Sequence, residues 1–534
     1  MRAVTTGPES HEITVGKFGR AGFIAALAVI VLATAWARAD GLNPRSLWYD
    51  DAWVALVKKI AWHNGVLNAG RSSPLGFTIV TKLALDLGSD LELAAQTVPF
   101  MAGLAAIPVF AVLVLQVFES RTLALLGAAL TAVAPTVGMY ATRVKQYSLE
   151  HLISITLLLL FWQLVVARER QLRRLMVLCG TAVVCGPFGH APLFVAFVLV
   201  HVGTAWVCYA PRPSLRRIRA AGVCVLFDVL FGAYYLLVLR GQASEGLDHF
   251  WSAKQAFAPV GGSADAWLVF MRESVWDRFI AGAFPTMRQP ALAICGLLFC
   301  LGPLALLIQR ERRVLGAALL ALYLQALVLS ALRLYPLGGY RVDMYMHPVH
   351  LLMVTGGLWL LLVRAPLLLR SVVPAGLTLA VLGYLPGLAA ASQEYHPGGG
   401  ASRLIASIER DMGPDRGILI YPTAVPVFAI YTTLPVSVSG RVGRTGYDIR
   451  ALDPNVMLLR GLEDDFEGKL QTFLAQRLRR RIYYLYFQQK NPMHEAIIRI
   501  LRRRGYRVTA DESDDHVYLM RFDAEQATRP RETP

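Results

Sequence analysis

The stretch AGFIAALAVIVLATAWARADGLNPRSLWYDDAW, residues 21–53, joins a membrane-length apolar run to two adjacent carboxylates, Asp50 and Asp51. Lys17 and Arg20 precede the run, and its first acidic residue is Asp40. In lipid a backbone must satisfy its own polar groups, so such a run reads as a spanning helix. The Ala35-Trp36-Ala37 and Ala37-Arg38-Ala39 triplets also fit a cleaved signal peptide, but the spans that follow favour an uncleaved first helix. Under both readings Asp50 and Asp51 end on the outer side. A carboxylate pair beside lipid is costly and invites a functional explanation; the plainer one is a helix N-cap.

The pattern repeats along the chain. Of 534 residues, 55% are hydrophobic and 17% charged, with a mean hydropathy of +0.46. That composition defines a polytopic α-helical membrane protein. Eleven spans are expected, at 20–37, 91–117, 122–140, 147–167, 175–190, 192–209, 217–239, 290–308, 314–334, 343–363 and 367–391. Gly186-Pro187-Phe188-Gly189 supplies a turn between the fifth and sixth. The net charge of +16 is gathered largely in short arginine clusters between apolar runs, which reads as topology and contact with anionic lipid, with no nucleic-acid partner. All six cysteines fall in apolar runs without metal or disulfide spacing.

Arginine also sets the expected orientation. Arg168, Arg170, Arg173 and Arg174, then Arg212, Arg216, Arg217 and Arg219, then Arg310, Arg312 and Arg313, then Arg364 and Arg370 occupy alternate turns. The short turns opposite carry only Arg143, Lys145 and Arg341. The positive-inside rule places the N-terminus in the cytoplasm and the C-terminus outside, in a plasma (inner) membrane. Two long outer loops are expected, about 38–90 and 240–289. The first holds amphipathic stretches near 51–63 and 74–87, and both loops carry tryptophans suited to the interface.

The membrane part is thus expected over 1–391, followed by the linker Glu394-Tyr395-His396-Pro397-Gly398-Gly399-Gly400. Over 392–534 the apolar runs shorten, at 418–421, 482–487 and 517–520, with helical patterns at 402–412, 464–480 and 493–504. Strands alternating with helices predict a small extracytoplasmic α/β domain.

The candidate chemistry lies on the outer side. Asp50 and Asp51 share it with Arg143, Lys145 and Tyr147, and with Arg341 and Tyr345. A lipid phosphate suits such cations, since arginine offers planar paired donors and lysine a point charge; snorkelling to phospholipid is the plainer alternative. A carboxylate facing a lipid-phosphate site can take the proton of an acceptor hydroxyl attacking an anomeric carbon. The cations would then stabilise the departing phosphate, and a single displacement inverts the anomeric centre.

In the order and sidedness of these features the chain resembles the GT-C superfamily of polyprenyl-phosphate-sugar-dependent glycosyltransferases. The likeness is nearest to the bacterial family 39 and family 83 type: protein mannosyltransferases, aminoarabinose transferases and lipopolysaccharide-core transferases. It covers nearly the whole chain. The resemblance implies Asp50 as the base and Asp51 as its support or a metal contact. It also implies lipid-phosphate roles for Arg143 and Tyr147 and for Arg341, which precedes Pro348. The family's His-Pro-Pro-Leu is represented by Arg71-Ser72-Ser73-Pro74-Leu75: Pro-Leu survives and the histidine is replaced, which weakens the carry-over of metal or acceptor contacts there. The implied partners are a polyprenyl-phosphate-linked sugar and an extracytoplasmic glycan, lipid or protein acceptor. No cofactor is required by the sequence, and a divalent cation is left open.

Other residues carry less. His190, His347 and His350 lack diagnostic metal spacing, Glu150-His151 lines or caps a cavity, and Asp228 stands within a span without an assigned role. Gly440-Arg441-Val442-Gly443-Arg444-Thr445-Gly446 lacks the spacing of a phosphate loop. A lipid transporter or flippase would call for internal repeats and charge at the midplane; no repeat is evident and the charged candidates sit at one face. A non-catalytic assembly protein would be favoured by loss of the acidic pair, which is present.

Overall fold

The computed structural model describes residues 19–39, 42, 46–62, 73–167, 169–209, 214–240, 245–281, 289–310, 312–339, 341–386, 400–440, 447–459, 466–476, 479–487, 492–514 and 517–524. The linker up to Gly399, the stretch Arg71-Ser72 and the 441–446 loop lie outside the described residues.

Each of the eleven expected runs holds a helix among the described residues, and residues 387–391 of the last lie outside them. The chain opens with α1 (Arg20–Ala39), then the loop helices α2 (Tyr49–Ala55) and α3 (Leu75–Leu87). The bundle continues through α4 (Leu91–Phe118), α5 (Arg121–Val133), α6 (Pro135–Ala141), α7 (Tyr147–Val166), α8 (Gln171–Cys185), α9 (Pro192–Tyr209) and α10 (Ser214–Tyr234). After the second long loop, with α11 (Glu245–Ala253) and α12 (Ala264–Val269), come α13 (Gln289–Ile308), α14 (Arg313–Ala331), α15 (His347–Leu362) and α16 (Leu367–Leu382). Among the described residues seven helices are long and apolar enough to cross a membrane, or eight if the bent α5–α6 pair is one span. The stretches in α8, α13 and α16 are shorter.

The α5–α6 bend has a local cause. Pro135 lacks an N–H and pushes Ala134 out of the helical region, to φ −59° and ψ 117°. The axis turns by 59° there, which steers the chain into the turn bearing Arg143 and Lys145. Where helices start cleanly, side chains cap them: Asp90 and Ser120 accept the N–H groups of Leu93 and Leu123.

The membrane part has two differing ends. At one, the Arg312 guanidinium lies 4.2 Å from the Trp359 ring centre and 5.4 Å from that of Phe118, and Arg216 donates to the Glu169 carbonyl. The other carries the acidic pair and the C-terminal domain.

That domain holds a five-stranded sheet of β1 (Arg416–Ile420), β4 (Val456–Leu458), β5 (Arg481–Phe487), β6 (Tyr506–Asp514) and β7 (Val517–Ala524), in the order β4-β1-β5-β7-β6. β4, β1 and β5 run parallel, and β7 and β6 are antiparallel additions. β2 (Val436–Gly440) and β3 (Tyr447–Ala451) form a separate antiparallel pair. The helices are α17 (Ala401–Arg410), α18 (Val425–Tyr431), α19 (Phe466–Ala475) and α20 (Pro492–Arg503). One apolar core is shared across the boundary: Leu47, Val54, Leu56 and Phe77 of the first loop are buried with Ile418, Phe428 and Leu485. Trp48 meets Phe487 edge-on at 5.7 Å, and Trp53 meets Tyr447 at 5.5 Å.

A polar lock accompanies this core. The Tyr431 hydroxyl accepts the Leu47 N–H at 2.6 Å and donates to Glu92 at 2.7 Å. Tyr431→Phe should therefore lower stability by about 1–3 kcal/mol, read as an earlier thermal transition and faster protease cleavage before residue 400. Tyr384→Phe, at an exposed position, serves as control; equal behaviour of the two variants would refute the lock.

Candidate functional site

The acidic pair occupies the first turn of α2, and neither carboxylate caps the helix. The cap position is Trp48, in extended conformation with no side-chain bond. Asp51 is buried; its Oδ2 accepts Arg143 Nε at 3.0 Å and its Oδ1 accepts the Val144 N–H at 3.1 Å. Asp50 is more open, its side chain 27% exposed, and its Oδ2 takes Arg341 Nη1 at 2.8 Å with Lys145 Nζ at 3.9 Å. The two neighbours in sequence thus have different partners: Asp51 ties α2 to the turn after α6, and Asp50 faces the opening with two cations.

The turn that brings in Arg341 depends on close approach. Gly338 has φ +79°, and a Cβ there would lie 2.4 Å from the Ser274 carbonyl oxygen. Asp343, fully buried, accepts the Gly339 N–H at 2.7 Å. Asp343 and Tyr140, which contacts Arg341, are parts of the site that sequence reasoning missed. Asp343 did signal itself as an acid beside a Gly-Gly turn at the edge of a span; Tyr140 gave no signal.

The other candidates divide. Tyr147 packs edge-on against Tyr140, ring centres 4.9 Å apart, beside Arg341. Tyr345 is buried among Tyr335 and Phe194 and makes no described contact with Asp50 or Asp51. Glu150 accepts the His190 N–H and so ties down the turn after α8. His151 meets the Met344 carbonyl at 3.2 Å, with the His347 ring 6.3 Å from its own.

Electrostatics separate the partners further. Burial pushes the Asp50 carboxyl up, but Lys145, Arg341 and Arg143 outweigh it and hold it below the ordinary carboxylate value. Burial pulls the Lys145 ammonium down, against the pull of Asp50 and Asp51. Among the described residues three cations face two carboxylates here, with Arg341 and Lys145 both on Asp50 at the more open end. That end can accept an anion without new side chains.

Solved structures share this architecture. ArnT from Cupriavidus metallidurans bound to undecaprenyl phosphate aligns with a TM-score of 0.55 at 12% identity, covering 94% of this chain and 98% of that one. Archaeal oligosaccharyltransferase AglB from Archaeoglobus fulgidus, in complex with an inhibitory peptide and a dolichol-phosphate, aligns at 0.51 and 12% identity, covering 97% of this chain and 76% of its own. No protein-family model and no curated protein sequence matches the chain. With both solved proteins the chain shares its fold, a polytopic helical bundle with a C-terminal sheet-containing domain.

The two carboxylates should respond differently to neutralisation. Asp51→Asn breaks a buried pair and should cost about 3–5 kcal/mol, whereas Asp50→Asn, at the solvent end, should cost far less. Thermal unfolding in detergent compares them, and a larger loss for Asp50→Asn would overturn the assignment of Asp51 as the anchor.

Proposed function

We propose that the chain is an integral-membrane glycosyltransferase that moves a sugar from a polyprenyl phosphate carrier to an extracytoplasmic acceptor, a glycan, lipid or protein. The observation that carries this reading is the acidic pair under three cations, with Arg341 and Lys145 both on Asp50 at the more open end. The shared fold of proteins solved with undecaprenyl phosphate and dolichol-phosphate supports the same kind of carrier here. The N-terminus lies in the cytoplasm and the site faces outward across the inner membrane, as the arginine-rich turns at the opposite end favour.

The reaction is a single displacement with inversion. The carrier's phosphate takes Arg341 and Lys145, with Arg143 held behind by Asp51. Relieved of its partners, Asp50 gains proton affinity as the acceptor arrives. The acceptor oxygen bonds to the anomeric carbon, its proton passes to Asp50, and the bond from that carbon to the phosphate oxygen breaks. Polyprenyl phosphate leaves with its new charge on Arg341 and Lys145. Tyr147 and Tyr140 brace Arg341. A divalent cation binding Asp50 would compete with those same side chains.

Transfer from a labelled panel of polyprenyl-phosphate sugars should proceed with at least one donor, and Asp50→Asn should slow it by about two to four orders of magnitude. Unchanged turnover in that variant would remove Asp50 as the base.

The pH profile gives a second test. Asp50 is depressed in the free protein, so its ion pairs persist as pH falls until that lowered value is crossed. The acid limb of kcat/KM for donor should therefore lie below the ordinary carboxylate range. The acid limb of kcat, which reports the donor complex, should lie higher, because the phosphate has taken the cations. Coincident limbs would contradict displacement.

A further inference from the structure

Asp228 stands mid-way along α10, an apolar helix that packs against α8 and α9 and has only 11% of its most apolar window buried. A carboxylate in that setting requires a partner. Its Oδ2 lies 3.4 Å from His201 Nε2 on α9 and 4.0 Å from Cys224 Sγ, one turn earlier on the same helix face. Its Oδ1 is buried with no hydrogen-bond partner among the described residues. All three donor atoms lie within 4.8 Å of one another, the one such group among the described residues.

The geometry points to a site for a thiophilic divalent cation of the zinc type, held by His201, Cys224 and Asp228. Bonds of about 2.0–2.3 Å in a tetrahedral shell put ligand atoms roughly 3.3–3.8 Å apart; from Asp228 Oδ2 the other two lie at 3.4 Å and 4.0 Å, and all three within 4.8 Å. The histidine is already oriented: its Nδ1 donates to the Phe197 carbonyl at 2.7 Å, which turns Nε2 toward the carboxylate. Such a bond to the far ring nitrogen is how proteins fix a ligating imidazole. The donor set also matches the solvent. One thiolate, one carboxylate and a neutral imidazole balance a divalent charge, so the filled site is electrically neutral within the bilayer. Cys224 gives up its proton to bulk on binding, and affinity rises with pH. Cys179 on α8 lies beside Cys224 and Asp228; a neutral water in the fourth position preserves the charge balance. The bound ion staples α10 to the bundle, some distance in sequence from the acidic pair, and the site stands independently of the glycosyl-transfer reading.

The test is titration of the purified full-length protein in detergent micelles with Co2+, which develops a thiolate-to-metal absorption band only when sulfur is a ligand. One Co2+ per chain is expected, with the band displaced by Zn2+ and absent from Cys224→Ser; Cys300→Ser, elsewhere in the bundle, should behave as wild type. With free Zn2+ at ten times Kd, maleimide labelling of Cys224 in the unmodified chain should slow about tenfold, a readout that needs no variant. A missing band, a band that survives Cys224→Ser, or labelling indifferent to Zn2+ would overturn the site and leave a bare His201–Asp228 pair.

Discussion

The ion pairing of Asp50 and Asp51 with cations from two other turns is the constraint on which this end of the bundle depends. Those partners lie 92 and 291 residues further along the chain, so α7 and α15 must both present their leading turns to the same short helix. Charges brought this close at a membrane surface are desolvated, and each pair is tolerable only because the others complete it. The α5–α6 bend at Pro135, the close approach at Gly338 and the buried Asp343 all serve this meeting point. Among the described residues three cations meet two carboxylates there, with Arg341 and Lys145 both on Asp50 at the more open end, which makes an anionic lipid headgroup a fitting occupant.

The C-terminal domain is part of the same construction. Its β1, β5 and α18 bury the back of α2 through Ile418, Leu485 and Phe428, while Tyr431 locks the approach to α2 at Leu47. A seven-residue helix has little stability of its own in water. Held between the membrane bundle and this domain, α2 can keep Asp51 buried and Asp50 forward. The domain therefore helps to position the carboxylates.

Much of this was legible in the sequence, because lipid imposes its requirements on composition directly. β1, β5 and β7 stood out as apolar runs and the two loop helices as amphipathic stretches; of the eleven expected spans, seven or eight are helices long and apolar enough to cross a membrane among the described residues. β6 did not: Tyr506–Asp514 is an edge strand whose polar residues are largely exposed, so it lacks an alternating pattern. β4 is three residues long, and α18 begins with Val-Pro and buries most of its seven residues, leaving no amphipathic signal. At the site, sidedness alone gathered Asp50, Asp51, Arg143, Lys145 and Arg341. Which cation meets which carboxylate was not readable, since packing decides it. Tyr345 shows the limit: it is four residues from Arg341, yet its ring packs among other aromatics. The pairing of His201 with Asp228 was equally hidden, because it joins two helices through one face of each.

The central claim is that Asp50 and the carrier's phosphate compete for Arg341 and Lys145. Equilibrium binding of undecaprenyl phosphate to the purified protein, to Asp50→Asn and to Arg341→Ala tests it without any sugar or acceptor. Tighter binding by Asp50→Asn, where the competing charge is gone, together with weaker binding by Arg341→Ala, is the predicted result. Weaker binding by Asp50→Asn would mean that the carboxylate helps to hold the headgroup, and the account of the site would be wrong.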